Sequence, residues 1–334
     1  TTSAAWNRAW PLKPDVVLEG GNLGKDADVV MGISSLDLLT THYQPTQRLF
    51  TTTNATSAAS ALCARMAARL MVAYPALRPE TIRALIVHSA EWSEAMRQIY
   101  LPAGKTPTKS EYVNLIRHCG WGVPDLDRAL WSAGNSLTLV IEDLVHPYKK
   151  VAGEGVKSRD MNLHALPWPK EELEALQDAK VQMRVTLSYF VEPNPSARGT
   201  TSKYHYPSHR LHFDVRRPLE STPDFIARIN AAAAQVDEGD QTNPKDPDWR
   251  LGERLRNRGS LHQDIWEGTA ADLASRGFLA VFPAMGWWRT RPALECYDLP
   301  SRYSLIVSIH TEQTEIDLYT AIEQQIAVPV VVGT

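Results

Sequence analysis

Pro14-Asp15-Val16-Val17-Leu18 is a short β-branched run that stops at Gly20-Gly21-Asn22, which predicts a strand ending in a glycine turn. Thr51-Thr52-Thr53-Asn54 is again β-branched and then turn-forming. Residues 58–74 are mostly Ala, Ser, Leu, Cys, Met and Val, with Arg65 and Arg69 four apart on one side. The pattern predicts a helix that is apolar nearly all round and therefore largely buried, ended by Pro75. Leu77-Arg78-Pro79-Glu80 opens a second helix, with proline suited to the first helical position and glutamate to the positive helix end. Its apolar residues Ile82, Leu85 and Ile86 recur at helical spacing, and the pattern fades near Ser89-Ala90. A third, short helix is expected after Gly120-Trp121-Gly122-Val123-Pro124-Asp125, through Leu126, Ala129 and Leu130.

Near residue 150 the pattern changes. Residues 146–170, with His146-Pro147, a Gly- and charge-rich stretch and Pro167-Trp168-Pro169, read as a connection. Strands are expected at Val181–Val191, Arg210–Val215, Leu279–Phe282 and Tyr303–His310, and a helix over Thr222–Val236. Alternation along Val181–Val191 predicts an antiparallel sheet with one buried face. Residues 237–250 read as a polar, solvated loop, and the following Arg250, Arg254, Arg256 and Arg258 as a solvated stretch or a partner contact. The expected organisation is an α/β domain over 1–145, a linker over 146–180 and a β-rich, sandwich-like domain with a helical insertion over 181–334.

A length of 334 residues fits two ordinary domains, and a chain this long folds without staples. A formal net charge of −3 argues against a nucleic-acid partner, which calls for a basic excess. No apolar run approaches ~18 residues, which argues against a membrane span. The cysteines Cys63, Cys119 and Cys296 are too few and scattered for a disulfide framework and read as reduced, buried thiols, hence an expected cytoplasmic setting. Thr1-Thr2-Ser3 shows no secretory-signal pattern.

The stretch that carries chemistry is Asn54-Ala55-Thr56-Ser57, where a β-branched run stops, a turn follows and a serine opens a long helix. Free N–H groups and the helix dipole favour negative charge there, so an oxyanion formed by Ser57 attacking a carbonyl would be stabilised. The competing reading is a serine that merely caps a helix. His42, fifteen residues upstream, is the local candidate for a base. His88 suits a helix C-terminus as a charged structural group, and His118 with Cys119 would point to opposite faces of a strand. His205, His209 and His212 invite a metal, but alternation spoils their convergence. Trp249, Trp266, Trp287 and Trp288 fit core packing better than a binding face, Glu91, Glu94 and Glu111 give no glycosidase pair, and Gly20-Gly21-Asn22-Leu23-Gly24 lacks the lysine and spacing of a phosphate loop.

Taken in order, Lys13-Pro14-Asp15-Val16-Val17, the glycine turn, Thr56-Ser57 with its Ala-rich helix, Leu77-Arg78-Pro79 with a helix ending at Ser89-Ala90, and Gly120-Trp121-Gly122 resemble the C-terminal part of the catalytic domain of subtilisin-like serine proteases, over about residues 6–135. The resemblance implies a partial subtilisin-like parallel-sheet domain, with Ser57 as nucleophile, Thr56 and the Ser57 N–H beside the oxyanion hole, and Asn54 as the asparagine preceding the motif. Two positions depart from the family: Ala55 replaces the motif glycine, and Ala61 the proline four residues after the serine. In subtilases the aspartate, histidine and oxyanion asparagine precede the serine, so they are expected upstream of Thr1, and the chain alone is expected to be inactive. The implied partners are a polypeptide substrate and the N-terminal part of the same protease. Val181–Pro195 is similar to a strand of the β-sandwich domains that follow such catalytic domains. The family often binds calcium, but no ligand set is visible in the sequence. The alternative to an endopeptidase is a non-catalytic β-sandwich interaction module carrying a degenerate protease remnant.

Overall fold

The computed structural model describes residues 11–132, 138–196, 206–238 and 246–311. Two short hairpins come first, β1 (Leu23–Asp26) with β2 (Val29–Gly32) and β3 (Leu38–Thr41) with β4 (Phe50–Thr53). Five helices follow: α1 (Thr56–Ala73), α2 (Pro79–His88), α3 (Glu94–Tyr100), α4 (Lys109–Cys119) and α5 (Leu126–Ser132). Local chemistry sets their starts. Pro79 occupies the first turn of α2, the Ser93 hydroxyl accepts from the Met96 N–H at α3, and Thr108 and Glu111 form a reciprocal capping box at α4.

The strand-rich part begins with β5 (Thr138–Val145), the hairpin β6 (Tyr148–Val151) with β7 (Gly155–Ser158), β8 (Asn162–Ala165) and α6 (Lys170–Ala175). It continues through β9 (Lys180–Tyr189), β10 (Arg210–Val215), α7 (Thr222–Glu238), α8 (Glu253–Arg256), β11 (Leu261–Thr269), α9 (Ala270–Ser275), β12 (Phe278–Ala284), α10 (Trp287–Thr290) and β13 (Ser301–Thr311). A four-stranded sheet in the order β11-β9-β13-β5 faces a three-stranded sheet in the order β10-β12-β8. One apolar cluster holds them together: Met183, Val185 and Leu187 of β9 and Leu305 and Val307 of β13 meet Leu211 and Phe213 of β10 and Leu279 and Val281 of β12. Helix α7 covers the other face of the smaller sheet through Phe225 and Ile229.

The chain is thus a mixed α/β protein, as expected at that level. All strand pairs among the described residues are antiparallel, so the parallel sheet of the sequence-based expectation is not among them. Residues 146–170 are not a plain connection, since β6, β7 and β8 lie there, and β8 completes the smaller sheet. Strand β5, from the segment assigned to the first domain, is an edge of the larger sheet.

The polar face of β9 is buried rather than solvated. Helix α2 packs across it and across β13, and its polar groups are met one by one. The His88 ring bonds Thr186 (Nδ1, 2.8 Å) and Ser308 (Nε2, 2.8 Å), while Thr186 donates to Gln263 Oε1 at 2.7 Å. Arg83 reaches Ser188 Oγ and the carbonyl of Tyr189, and Arg184 donates to the carbonyls of His88 and Ala90. Alternation alone cannot distinguish a wet polar face from one satisfied by a helix.

Candidate functional site around Ser57

Three separate motifs meet around the start of α1. The segment after Pro14 runs extended between the helices: Trp121 N–H donates to the Asp15 carbonyl at 2.8 Å and Val17 N–H to the Gly122 carbonyl at 3.0 Å. Val16 packs against both helical clusters, the one that holds Leu70 and Leu85 and the one that holds Leu115 and Ile116. The glycine turn then lies beneath the turn before α1. A Cβ on Gly20 would sit 3.2 Å from the Ala55 carbonyl oxygen, and one on Gly21, at φ +85°, 3.0 Å from Asn54 Cα. Asn54 closes the contact by donating from Nδ2 to the Asn22 carbonyl at 2.6 Å.

Gly122 shows how tightly the third motif fits. At φ +103° a Cβ there would collide with the Glu91 carbonyl, across the bridge that joins Glu91 to Val123. Gly122→Ala is therefore expected to cost at least about 2 kcal/mol through backbone strain and clash, read as a lower urea midpoint.

Ser57 is the second residue of α1, and Ala55 is the N-cap. Capping is therefore not its role, and its hydroxyl makes no bond to a described residue. The side chain is exposed, and the first-turn N–H groups of Thr56 and Ser57 have neither a side-chain cap nor an acidic neighbour in that turn. Such an end favours negative charge beside it. Ala55 is extended, at φ −161° and ψ 157°, a conformation open to any residue, so losing the motif glycine does not disturb the turn. Thr56 is exposed and its carbonyl accepts from the Ser60 hydroxyl at 3.1 Å.

Helix α1 departs from expectation. Only Met66 and Leu70 are buried along its 18 residues, while Met71 and Val72 are 56% and 82% exposed. The hairpins before it are equally bare, with Val29, Val30, Leu39, Leu49 and Phe50 all more than half exposed. Among the described residues, this Ala-rich helix with apolar residues on every side meets its neighbours mainly along the stripe facing α2 and α5, with the glycine turn at its start.

The remaining sequence candidates lie elsewhere. His42 is one step beyond the far end of the β3–β4 hairpin, where its N–H donates to the Leu49 carbonyl, whereas Ser57 follows the near end at Thr53. About 13 Å of strand separates the two levels, so His42 is not placed as a base. His88 is buried and neutral: burial, then Arg184 and Arg128, holds its pKa well below the usual histidine value, which replaces the expected charged helix end. His118 sits on α4 rather than a strand and stacks on Tyr100. His205 lies outside the described residues. His209 bonds Ser301 and Ser208 and stacks on Trp288, while His212 is buried beside Phe282. No group of three or more His, Cys, Asp or Glu could hold a metal among the described residues.

Among the cysteines only Cys119 is buried; Cys63 and Cys296 are partly exposed, and all three are free. The four tryptophans 249, 266, 287 and 288 are buried. Arg256 is also buried, so the solvated reading of the Arg-rich stretch fails there, while Arg254 is exposed. None of the helices among the described residues is long and apolar enough to cross a membrane.

Comparison with known proteins bears on this region. Residues 1–122 match the family model Peptidase_S8, described as the subtilase family. The uncharacterized protein y4bN of Sinorhizobium fredii (strain NBRC 101917 / NGR234) is 28% identical over 232 residues, covering 67% of this chain. The match spans 47% of that relative, about half its length. The strand-like segment, glycine turn, serine-bearing helix and Gly-Trp-Gly turn that the fold brings into one cluster all lie in the stretch from residue 1 to 122 that is similar to the subtilase family.

Proposed function

We propose that Ser57 is the nucleophile of a subtilisin-like serine endopeptidase, and that the histidine and aspartate that activate it lie N-terminal to this chain. The observation carrying this reading is the exposed hydroxyl of Ser57 on the uncapped first turn of α1, inside the stretch that matches the subtilase family. In the proposed reaction, the upstream histidine takes the proton from Ser57 Oγ as the oxygen attacks a peptide carbonyl of a polypeptide substrate. The tetrahedral oxyanion forms beside the Ser57 N–H and Thr56, with a further donor from the upstream part. The amine leaves with the proton, and water releases the acyl group from Ser57. Asn54 holds the turn against Asn22 and so positions the nucleophile.

The bare apolar faces of α1 and the two hairpins support the same reading, because a catalytic half packed there would cover them. The family's parallel sheet belongs in that half. A second reading is favoured by one observation: no acid or base among the described residues is bonded to Ser57. On that reading the chain is a non-catalytic interaction module on a protease remnant.

Hydrolysis of a casein substrate separates the two. The chain extended towards its N-terminus is expected to hydrolyse casein, with Ser57→Ala lowering the rate by about 10³-fold or more, and the chain alone to be inactive. An extended chain whose rate is the same with and without the Ser57→Ala substitution overturns the protease reading.

A further inference from the structure

We propose that the concavity where the α2–α3 connection meets β9 and β11 is a binding site for a small oxyanion, a carboxylate or phosphate group. It has a volume of about 210 Å³ and is lined by Glu91, Trp92, Arg97, Arg184, Arg250 and His310, among others. Three guanidiniums and one carboxylate, Glu91, thus line it.

Each arginine is held differently, and none is fully neutralised by Glu91. Arg184 projects from the helix-facing side of β9, with its side chain only 19% exposed. Its Nη1 is anchored to the carbonyls of His88 and Ala90, and its nearest carboxylate, Glu91, is 4.0 Å away and already paired with Arg128. Burial, and then Arg250, Arg128 and Arg97, lower the Arg184 pKa to about 10 against the pull of Glu91. Arg250 is paired with Glu267 through Nε at 2.8 Å and through Nη2, which leaves Nη1 for an anion, and lies 5.9 Å from the Trp92 ring centre and 5.6 Å from that of Tyr112. Arg97 stands exposed on α3 with no carboxylate at ion-pair distance among the described residues.

The walls are rigid. Trp92 stacks on Trp121 with centres 5.6 Å apart and is pinned by its Nε1 donating to the Gly120 carbonyl at 2.8 Å. A planar fork fixed against such a wall suits an oxyanion better than a flexible ammonium would, because two parallel N–H bonds can meet two oxygens. The volume admits a phosphate or a carboxylate with a few attached atoms, where water otherwise takes about 30 Å³ per molecule. Because Glu91, Trp92 and Arg97 come from the helical part and Arg184, Arg250 and His310 from the sheet part, a bound anion also ties the two together. The inference does not depend on Ser57 being a nucleophile.

Calorimetric titration and thermal melting of this chain with inorganic phosphate and, separately, with succinate test the site, each against sodium chloride of matched ionic strength. Saturable binding and a raised melting temperature are expected with one or both, and the tighter ligand identifies the group the site prefers. Arg97→Gln, on the exposed rim, is expected to weaken binding about tenfold, while Arg65→Gln on α1 makes the same charge change and leaves it unaltered. Glu91→Gln is expected to strengthen it by removing the competing carboxylate. No saturation beyond the chloride reference, or equal weakening by Arg97→Gln and Arg65→Gln, overturns the proposal.

Discussion

Lowering the pH from 7 to 5 is expected to destabilise this fold strongly, through four histidines buried as neutral rings. His209 and His262 are pushed down to about 3 by burial, and His88 and His212 are pushed well below the usual value by burial and then by neighbouring arginines. A folded-state pKa below the unfolded one means that the native form takes no proton where the unfolded chain does. Their stabilisation is therefore complete above about 6.5 and is lost as pH falls towards the folded values. Between 6.5 and 5 each ring forfeits up to about 2 kcal/mol. Even half of that, summed over four, is about 4 kcal/mol, a large share of the roughly 5–15 kcal/mol that hold an ordinary domain together. Asp264 acts in the opposite sense, because burial raises its pKa. Urea midpoints at pH 7, 6 and 5 are expected to fall steeply, and His212→Phe, which removes a ring with both nitrogens unpartnered, to flatten the fall. An unchanged midpoint from 7 to 5 contradicts this account.

Arg256→Ala is expected to cost about 3–5 kcal/mol, the range for breaking a buried ion pair from one side. The Arg256 side chain is 1% exposed and that of Asp264 is fully buried, with Nη1 3.5 Å from Oδ2. Asp264 also accepts the N–H groups of Leu251 at 2.9 Å and Gly252 at 2.8 Å, so it pins the chain entering α8. Arg256 in turn donates to the Phe213 carbonyl at 2.9 Å and lies between the Phe213 and Trp249 rings, 4.3 and 4.7 Å from their centres. Removing it leaves a desolvated carboxylate and a gap between two aromatic rings. The measurement is the urea midpoint at pH 7. A loss under about 1 kcal/mol would mean that the pair is not holding this corner of the sandwich.

The sequence conveys most where periodicity and punctuation agree. Pro79 and the Ile82, Leu85, Ile86 spacing mark α2, and the alternation at Arg210–Val215 marks β10 with the same limits. Helix α4 has the capping box Thr108–Glu111, a legible signal outweighed by the shortness of its apolar stripe. Strand β11 escapes a reading by pattern because it carries His262, Gln263 and Asp264 through the middle of a buried strand, where each finds a partner only in three dimensions. Burial fails for α1 for the opposite reason: its residues are apolar on every side, but among the described residues only Met66 and Leu70 are buried. At the site, Asn54, Thr56 and Ser57 are readable as a motif, and the glycine turn beneath them as its neighbour. The oxyanion pocket is not, since Arg97, Arg184 and Arg250 are distant in sequence and converge only when α3, β9 and the segment leading into α8 come together.

Fluorophosphonate labelling followed by peptide mapping tests the central claim most directly, on this chain and on the chain extended towards its N-terminus. A single adduct on Ser57 in the extended chain, absent from Ser57→Ala and from the short chain, is the result expected of a nucleophile activated from upstream. An extended chain that stays unlabelled at Ser57, or carries its adduct on another serine, would contradict it.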